Sequence, residues 1–335
     1  MSTYTEAVPD VNLSLAAGFQ SYVQHVISMF TNANSGILTR TTDTNQIDAL
    51  TVPQPGTTTT TSGNWASLPA LFRFYDGLGN DIFISLRFGV FKNTSGTSST
   101  DLGVPLLGVT LGRGSDGAGN LTGIYGPEFL MMGAPGNGNV NTTRGTKTSY
   151  ACCRDGYMVI FIERDMNNDD SNWQLNQGAL LAISFKSTGG AFTVYSCNNG
   201  YNGGNVKTYP TYYGNTIGST NNISNPLGVK GLCFSVEEGP YGNFSDYQHL
   251  IRKPSVPSST TGVWNGDTNV FRVDCWHPSV GSWKDPNVIA YYNGDFTSTS
   301  TQAITVDTES RTFIFFNPSL KAFLPSGVCV GLRWD

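Results

Sequence analysis

The chain has little charge. Lys and Arg number 19 and Asp and Glu 24, so 13% of its 335 residues are charged, about half the ~25% usual in soluble domains. Solubility must then rest on Thr, Ser, Asn and Gly. The net charge of −5 and the pI near 5.2 speak against nucleic acid as a partner, because phosphate binding needs clustered Lys and Arg. No apolar run approaches the ~18 residues of a membrane span, so no membrane insertion is expected. Histidine is scarce: His25, His249 and His277. None has a partner at ligand spacing, and a structural or surface role is expected for each. There is no Cys-x-x-Cys pair for zinc, no Gly-x-Ser-x-Gly elbow and no Walker loop. No glycine-rich loop opens a helix, so phosphate cradling lacks support. No cofactor is expected. The first residues, Met1 to Asp10, hold no Lys or Arg, and a secretion signal is not expected.

The six cysteines are read as reduced. Cys197, Cys233, Cys275 and Cys329 sit in strand-like runs, where a free Cys serves as a small core hydrophobe. Cys152 and Cys153 are neighbours, and a bond between adjacent cysteines would be strained.

What is abundant is strand and turn. Leu68 to Tyr75 and Ile82 to Phe91 flank the polar turn Asp76 to Asp81. Gly, Asn and Asp tolerate the positive φ that hairpin turns need, so a β-hairpin is predicted. Ile82, Ile84, Leu86 and Phe88 recur at period two, which points them to one face. Val104 to Leu111 and the loop 112–120 continue the pattern. Gly156 to Glu163 is nearly all apolar, which suits a strand buried on both faces. Further strands are predicted at 146–153, 179–185, 191–195, 230–236, 247–251, 269–277, 288–292, 311–316 and 328–334. The fold class is all-β, an antiparallel sandwich of jelly-roll-like architecture, with one N-terminal amphipathic helix.

That helix lies between Val11 and Thr31. Leu15, Phe19, Tyr22, Val23, Val26, Ile27 and Phe30 make one helical stripe. Asp10, Asn12 or Ser14 would cap its start. Gly18 weakens it by about 0.8–1 kcal/mol relative to Ala. The stripe either packs on its own β domain or docks on a neighbouring subunit. The second is the expectation adopted, with Leu15, Phe19, Val23, Val26 and Phe30 as assembly contacts. The domain reading has three parts. Residues 1–36 are arm and helix, and residues 37–66 are a Thr-rich linker or strap. Residues 67–335 are the β region, with a subdomain boundary near 238–268.

Two stretches carry candidate chemistry. Asp165, Asn167 and Asp169 match the first ligand positions of a calcium loop. Asp170 stands where Gly is needed and Asn176 where the bidentate Glu should be. A solvated hairpin turn is the plainer reading, and no metal is assigned. Tyr201, Tyr209, Tyr212 and Tyr213 lie among Gly and Asn in the loop 198–228. Tyrosines there offer broad contact area at low entropy cost. They would meet a glycan or a protein, or tie the loop to its own sheet.

Segment 82–123 carries a resemblance. Its parts are Ile82-Phe-Ile-Ser-Leu-Arg-Phe-Gly89, Leu106-Leu-Gly-Val-Thr-Leu-Gly112 and Ser115-Asp-Gly-Ala-Gly-Asn-Leu-Thr-Gly123. It resembles β-rich virion proteins of tailed bacteriophages, of the tail- and fibre-associated kind. The resemblance implies a non-enzymatic structural subunit, made in bacterial cytoplasm and placed at the tail, baseplate or tail–fibre junction. Its partners would be copies of itself and other virion proteins. A receptor- or carbohydrate-binding module using the tyrosine loop is the alternative, and a glycan hydrolase a third.

Overall fold

The structure is a computed structural model. It describes residues 2–9, 11–34, 36–56, 64–91, 104–126, 128–132, 148–162, 179–197, 230–240, 270–292, 301–306, 309–316 and 328–335. The architecture is all-β: three antiparallel sheets in layers, with one helix among the described residues.

The middle layer decides the arrangement. Its strands run in the order β1 (Ser2–Ala7), β9 (Thr148–Arg154), β10 (Tyr157–Ile162), β11 (Ala179–Phe185), β12 (Ala191–Cys197), β13 (Lys230–Ser235) and β14 (Gly239–Pro240). All six residues of β10 are buried. Successive side chains on a strand point to opposite faces, and here each face has its own core. Met158, Ile160 and Ile162 enter one cluster. Tyr157, Val159 and Phe161 enter another. Cys152 and Cys153 follow the same rule and lie in different clusters, which is why these neighbours do not bond. The four cysteines with described side chains, 152, 153, 233 and 275, are all free and buried. Burial pushes the Cys152 thiol up to about 11.

The first face packs on a second sheet, of order β2 (Leu38–Arg40), β4 (Ala70–Tyr75), β5 (Asp81–Phe91), β6 (Val104–Ser115) and β7 (Leu121–Ile124). β3 (Asn64–Trp65) adds to β5 and β8 (Phe129–Met132) to β6. The predicted β4–β5 hairpin forms, with Ile82, Ile84, Leu86 and Phe88 all inward. One turn design serves twice. In Asp76-Gly-Leu-Gly-Asn80, Asp76 Oδ1 accepts from the backbone N–H of Leu78 (2.6 Å) and Asn80 (2.9 Å). In Asp116-Gly-Ala-Gly-Asn120, Asp116 Oδ1 accepts from Ala118 N (2.7 Å) and Asn120 N (3.0 Å). The Asn side chain returns to the other Asp oxygen in both. Both glycines of each turn have positive φ, from 76° to 99°, the conformation that favours Gly.

The second face packs on a third sheet, of order β15 (Val270–His277), β16 (Gly281–Tyr292), β19 (Val328–Arg333), β18 (Glu309–Phe316) and β17 (Thr301–Val306). β17 lies at the outer edge, and β18 and β19 step inward from it until β19 lies beside β16, a Greek-key arrangement.

The helix α1 (Ala16–Ala33) fills the space between the first two sheets. Phe19, Val23, Val26 and Phe30 are completely buried in that core. The Phe30 and Phe72 rings stand 5.0 Å apart, and Tyr22 meets Phe88 edge-on at 6.0 Å. The Tyr22 hydroxyl donates to Leu106 O at 3.0 Å. The expectation that this stripe docks on a neighbouring subunit is therefore corrected: the chain's own sheets cover it. Burying large apolar side chains is worth roughly 1.5–3 kcal/mol each, and the two facing sheets collect that gain within the chain. Leu15 is the exception, 59% exposed at the N-cap. No side chain caps the helix start; Asn12 Oδ1 accepts from Ser14 N (3.0 Å) just upstream.

The N-terminal arm is a strand. β1 pairs with β9 from Ser2↔Cys153 to Ala7↔Thr148. Within 37–66, Leu38, Ile47 and Val52 are buried in the helix-side core, so residues 38–52 lie against the sandwich. Tyr247 to Ile251 and most of 238–268 lie outside the described residues.

Two substitutions test this packing. Phe30→Ala should cost about 3–5 kcal/mol, whereas Leu15→Ala should stay within about 0.5. Chemical denaturation of the isolated chain reads both. Gly18→Ala sets two effects against each other. Helix propensity favours Ala by about 0.8–1 kcal/mol. However, the new Cβ would stand 1.9 Å from Asn12 O, and such overpacking costs about 1–3 kcal/mol. Net destabilisation is expected; a rise in melting temperature would show that the loop at Asn12 yields freely.

Candidate functional site

Two polar clusters sit inside the layers. The first joins the N-terminal strand, the helix and β9. Glu6 and Ser149 are register partners across β1 and β9. Their side chains therefore share a face, and His25 of α1 reaches between them. His25 Nδ1 stands 3.0 Å from Glu6 Oε1, and Nε2 stands 2.9 Å from Ser149 Oγ. A carboxylate only accepts, so Nδ1 carries the hydrogen toward Glu6 and, in the neutral ring, Nε2 accepts from the serine. Tyr4 and Ser28 hydroxyls donate to Glu6 Oε2, both at 2.6 Å.

Hydroxyl, imidazole and carboxylate in this order have the form of a nucleophilic triad. Access rules that use out here: Ser149 has no exposed surface. The cluster acts instead as a clamp. It fastens β1 to α1 and β9 at three side chains, in addition to the backbone ladder.

The second cluster lies between the middle and third sheets. Strand register lines up one row across the middle sheet. Arg154 faces Tyr157, Tyr157 faces Ser184, Ser184 faces Thr193, and Thr193 faces Cys233. Tyr157, Ser184, Thr193 and Cys233 are buried. The third sheet answers with Cys275, Asp285 and Asn287, also buried. Thr193 Oγ1 donates to Cys275 Sγ at 3.3 Å. Hydrogen bonding with Cys233, together with burial, pushes the Cys275 thiol far up, so it serves as a protonated packing group.

Asp285 is the centre of this cluster. It accepts from Ser184 Oγ (2.7 Å) and Asn287 N (2.8 Å) on Oδ1, and from the Tyr195 hydroxyl (2.7 Å) on Oδ2. Asn287 Nδ2 donates to Ser184 Oγ at 3.0 Å, and Arg154 Nη2 donates to Asn287 Oδ1. Burial raises the Asp285 carboxyl above its ordinary value, against the opposing pull of the Tyr195, Asn287, Ser184 and Val288 hydrogen bonds. A bulge makes the geometry. β16 pairs with β15 at Lys284↔Asp274 and again at Ile289↔Arg272. Between them four residues of β16, Asp285 to Val288, stand against one of β15, Val273, and the missing Pro286 N–H costs no bond to β15 there. Asp285 and Asn287, two apart, then point the same way.

Sequence reading treated His25 as structural and did not single out Glu6, Ser149, Ser184, Asp285 or Asn287. The usable signals were polar residues inside apolar runs, such as Ser184 in Ala179-Leu-Leu-Ala-Ile-Ser-Phe185, and a turn-like Asp-Pro-Asn amid a strand. The tyrosines 201, 209, 212 and 213 lie outside the described residues, as do Asp165, Asn167 and Asp169. Among the described residues there is no cluster of three or more His, Cys, Asp or Glu that could hold a metal ion, and no helix long and apolar enough to cross a membrane.

Comparison with protein-family models, with curated proteins and with solved structures finds no match in any of the three. What can be stated of class is therefore architectural: a layered all-β protein with one interior helix among the described residues, one half-buried polar cluster and one fully buried one.

The clamp predicts a pH dependence. Partial burial pushes the Glu6 carboxyl up, but hydrogen bonds from Ser28, Tyr4 and His25, with the attraction of His25, outweigh it and hold the group below its ordinary 4.5. A lowered carboxyl contributes stability that is present above the unfolded value and lost as pH falls through the folded one. Glu6→Gln should therefore melt below the parent protein at pH 7, and the gap should close as the pH is lowered past 4.5. A gap that stays constant down to pH 3 would show that the carboxylate's charge contributes nothing.

Proposed function

We propose that the chain is a non-enzymatic structural subunit of a tailed-phage virion, at the tail, baseplate or tail–fibre junction. One observation carries the reading. The polar chemistry of Glu6, His25 and Ser149, and of Ser184, Tyr195, Asp285 and Asn287, is turned inward, each group bonded to another element of the same chain. Groups placed in this way hold a shape. The resemblance of segment 82–123 to virion proteins supports the same reading, and its described residues, 82–91 and 104–123, belong to β5, β6, β7 and the β6–β7 turn of the second sheet.

Assembly in this reading runs through sheet surfaces and edges. The helix stripe is already covered and does not serve. β17 ends the order of the third sheet, and Thr301, Gln302, Ala303 and Thr305 on it are exposed. An uncovered edge strand offers backbone groups to a neighbouring chain.

Labelling tests the proposal. Gold-tagged antibody raised against the purified chain should decorate the tail region of particles released by the bacterium that carries the gene. Particles that contain no trace of the chain by mass spectrometry would overturn the assignment.

A further inference from the structure

We propose that Ser184 and Asn287 become joined by an ester, Ser Oγ to Asn Cγ, formed within the folded chain with release of ammonia. The bond would tie the middle sheet to the third sheet. It does not depend on the virion reading.

Four groups meet within hydrogen-bonding reach. Ser184 Oγ is the nucleophile, donating to Asp285 Oδ1 at 2.7 Å. Asp285 is the base, held by Tyr195 OH and Asn287 N. The Asn287 side-chain amide is the electrophile, its nitrogen 3.0 Å from Ser184 Oγ. Arg154 Nη2 donates to Asn287 Oδ1, the oxygen on which negative charge would develop. A cation fixed beside a developing oxyanion is the strongest single aid to acyl transfer. Proximity is a second aid, because two groups held in reach react as one molecule.

The step balances without any co-reactant. Asp285 takes the hydroxyl proton as Ser184 Oγ adds to Asn287 Cγ. The tetrahedral carbon carries its negative oxygen toward Arg154. The Cγ–Nδ2 bond then breaks while Asp285 returns the proton to the departing nitrogen, and ammonia leaves. Nothing is oxidised or reduced. The surroundings favour both the start and the end. Burial raises the proton affinity of Asp285, which suits a base. Ser184 is 0% exposed, Asp285 1% and Asn287 4%, so water is excluded from the product ester.

The ordinary alternative is that the same atoms form a hydrogen-bonded knot and nothing more. Mass separates the two. The full-length chain, denatured and weighed intact with Met1 processing allowed for, should be lighter than its sequence by about 17 Da, the mass of the ammonia expelled by the attacking hydroxyl. A tryptic digest should hold peptides 165–186 and 285–311 as one species that hydroxylamine separates. Ser184→Ala should restore the full sequence mass. The wild-type measurement is made on denatured chain, so it decides even if that variant does not fold. A wild-type chain at its unmodified mass would overturn the proposal. So would ammonia loss confined to peptide 285–311 with peptide 165–186 released free, which marks a succinimide within that peptide, as at Asn293 before Gly294, and no link to Ser184.

Discussion

Burial of the middle sheet on both faces is the constraint that the other layers obey. A strand with one wet face alternates apolar and polar residues, and its register follows from that alternation. β10 and β11 cannot use this device, because their alternate residues enter two different cores. The two sides must then be told apart by size and polarity. On the helix side the sheet presents Met158, Ile160, Ile183 and Phe192, an apolar surface that accepts α1 and the second sheet. On the other side it presents Tyr157, Ser184, Thr193 and Cys233, a row that matches Asp285 and Asn287 across the gap.

A buried polar row is costly unless it is satisfied, since an unpaired polar group taken from water loses several hydrogen bonds at once. The Asp285 cluster meets that cost with donors from both sheets: Ser184 and Tyr195 from the middle layer, Asn287 N and Val288 N from its own strand. The arrangement also selects one register. A two-residue slip of β16 would keep the apolar pattern but carry Asp285 away from Ser184 and Tyr195. Apolar packing supplies most of the attraction between the layers, and the polar row specifies how they meet. The Glu6–His25–Ser149 clamp does the same on the opposite face, where it fixes a short edge strand to the helix that lies over it.

The helix illustrates why an apolar stripe does not by itself identify its partner. Phe19, Val23, Val26 and Phe30 have the spacing of a docking face, and that spacing is the same for a neighbouring subunit or for the chain's own core. The outcome was decided by the gap between two sheets, which a helix fills. Gly18 carried more information than its propensity suggested. It is a poor helix former, and its place is explained by the close approach of Asn12 O.

Local chemistry was legible from the sequence alone: the all-β class, the Asp-Gly-x-Gly-Asn turns, the period-two face of β5, the doubly buried β10 and the existence of α1. Each depends on interactions between residues close in the chain, so a window of a few residues contains the cause. The tertiary structure decided what requires distant partners. It made a strand of residues 2–7, whose Thr and Tyr alternation has meaning only beside β9. It separated Cys152 from Cys153 into two cores. It brought Ser184 to Asp285 and His25 to Ser149, pairs 101 and 124 positions apart. Such pairs leave no periodic trace in the sequence, because their geometry is set by which sheet faces which.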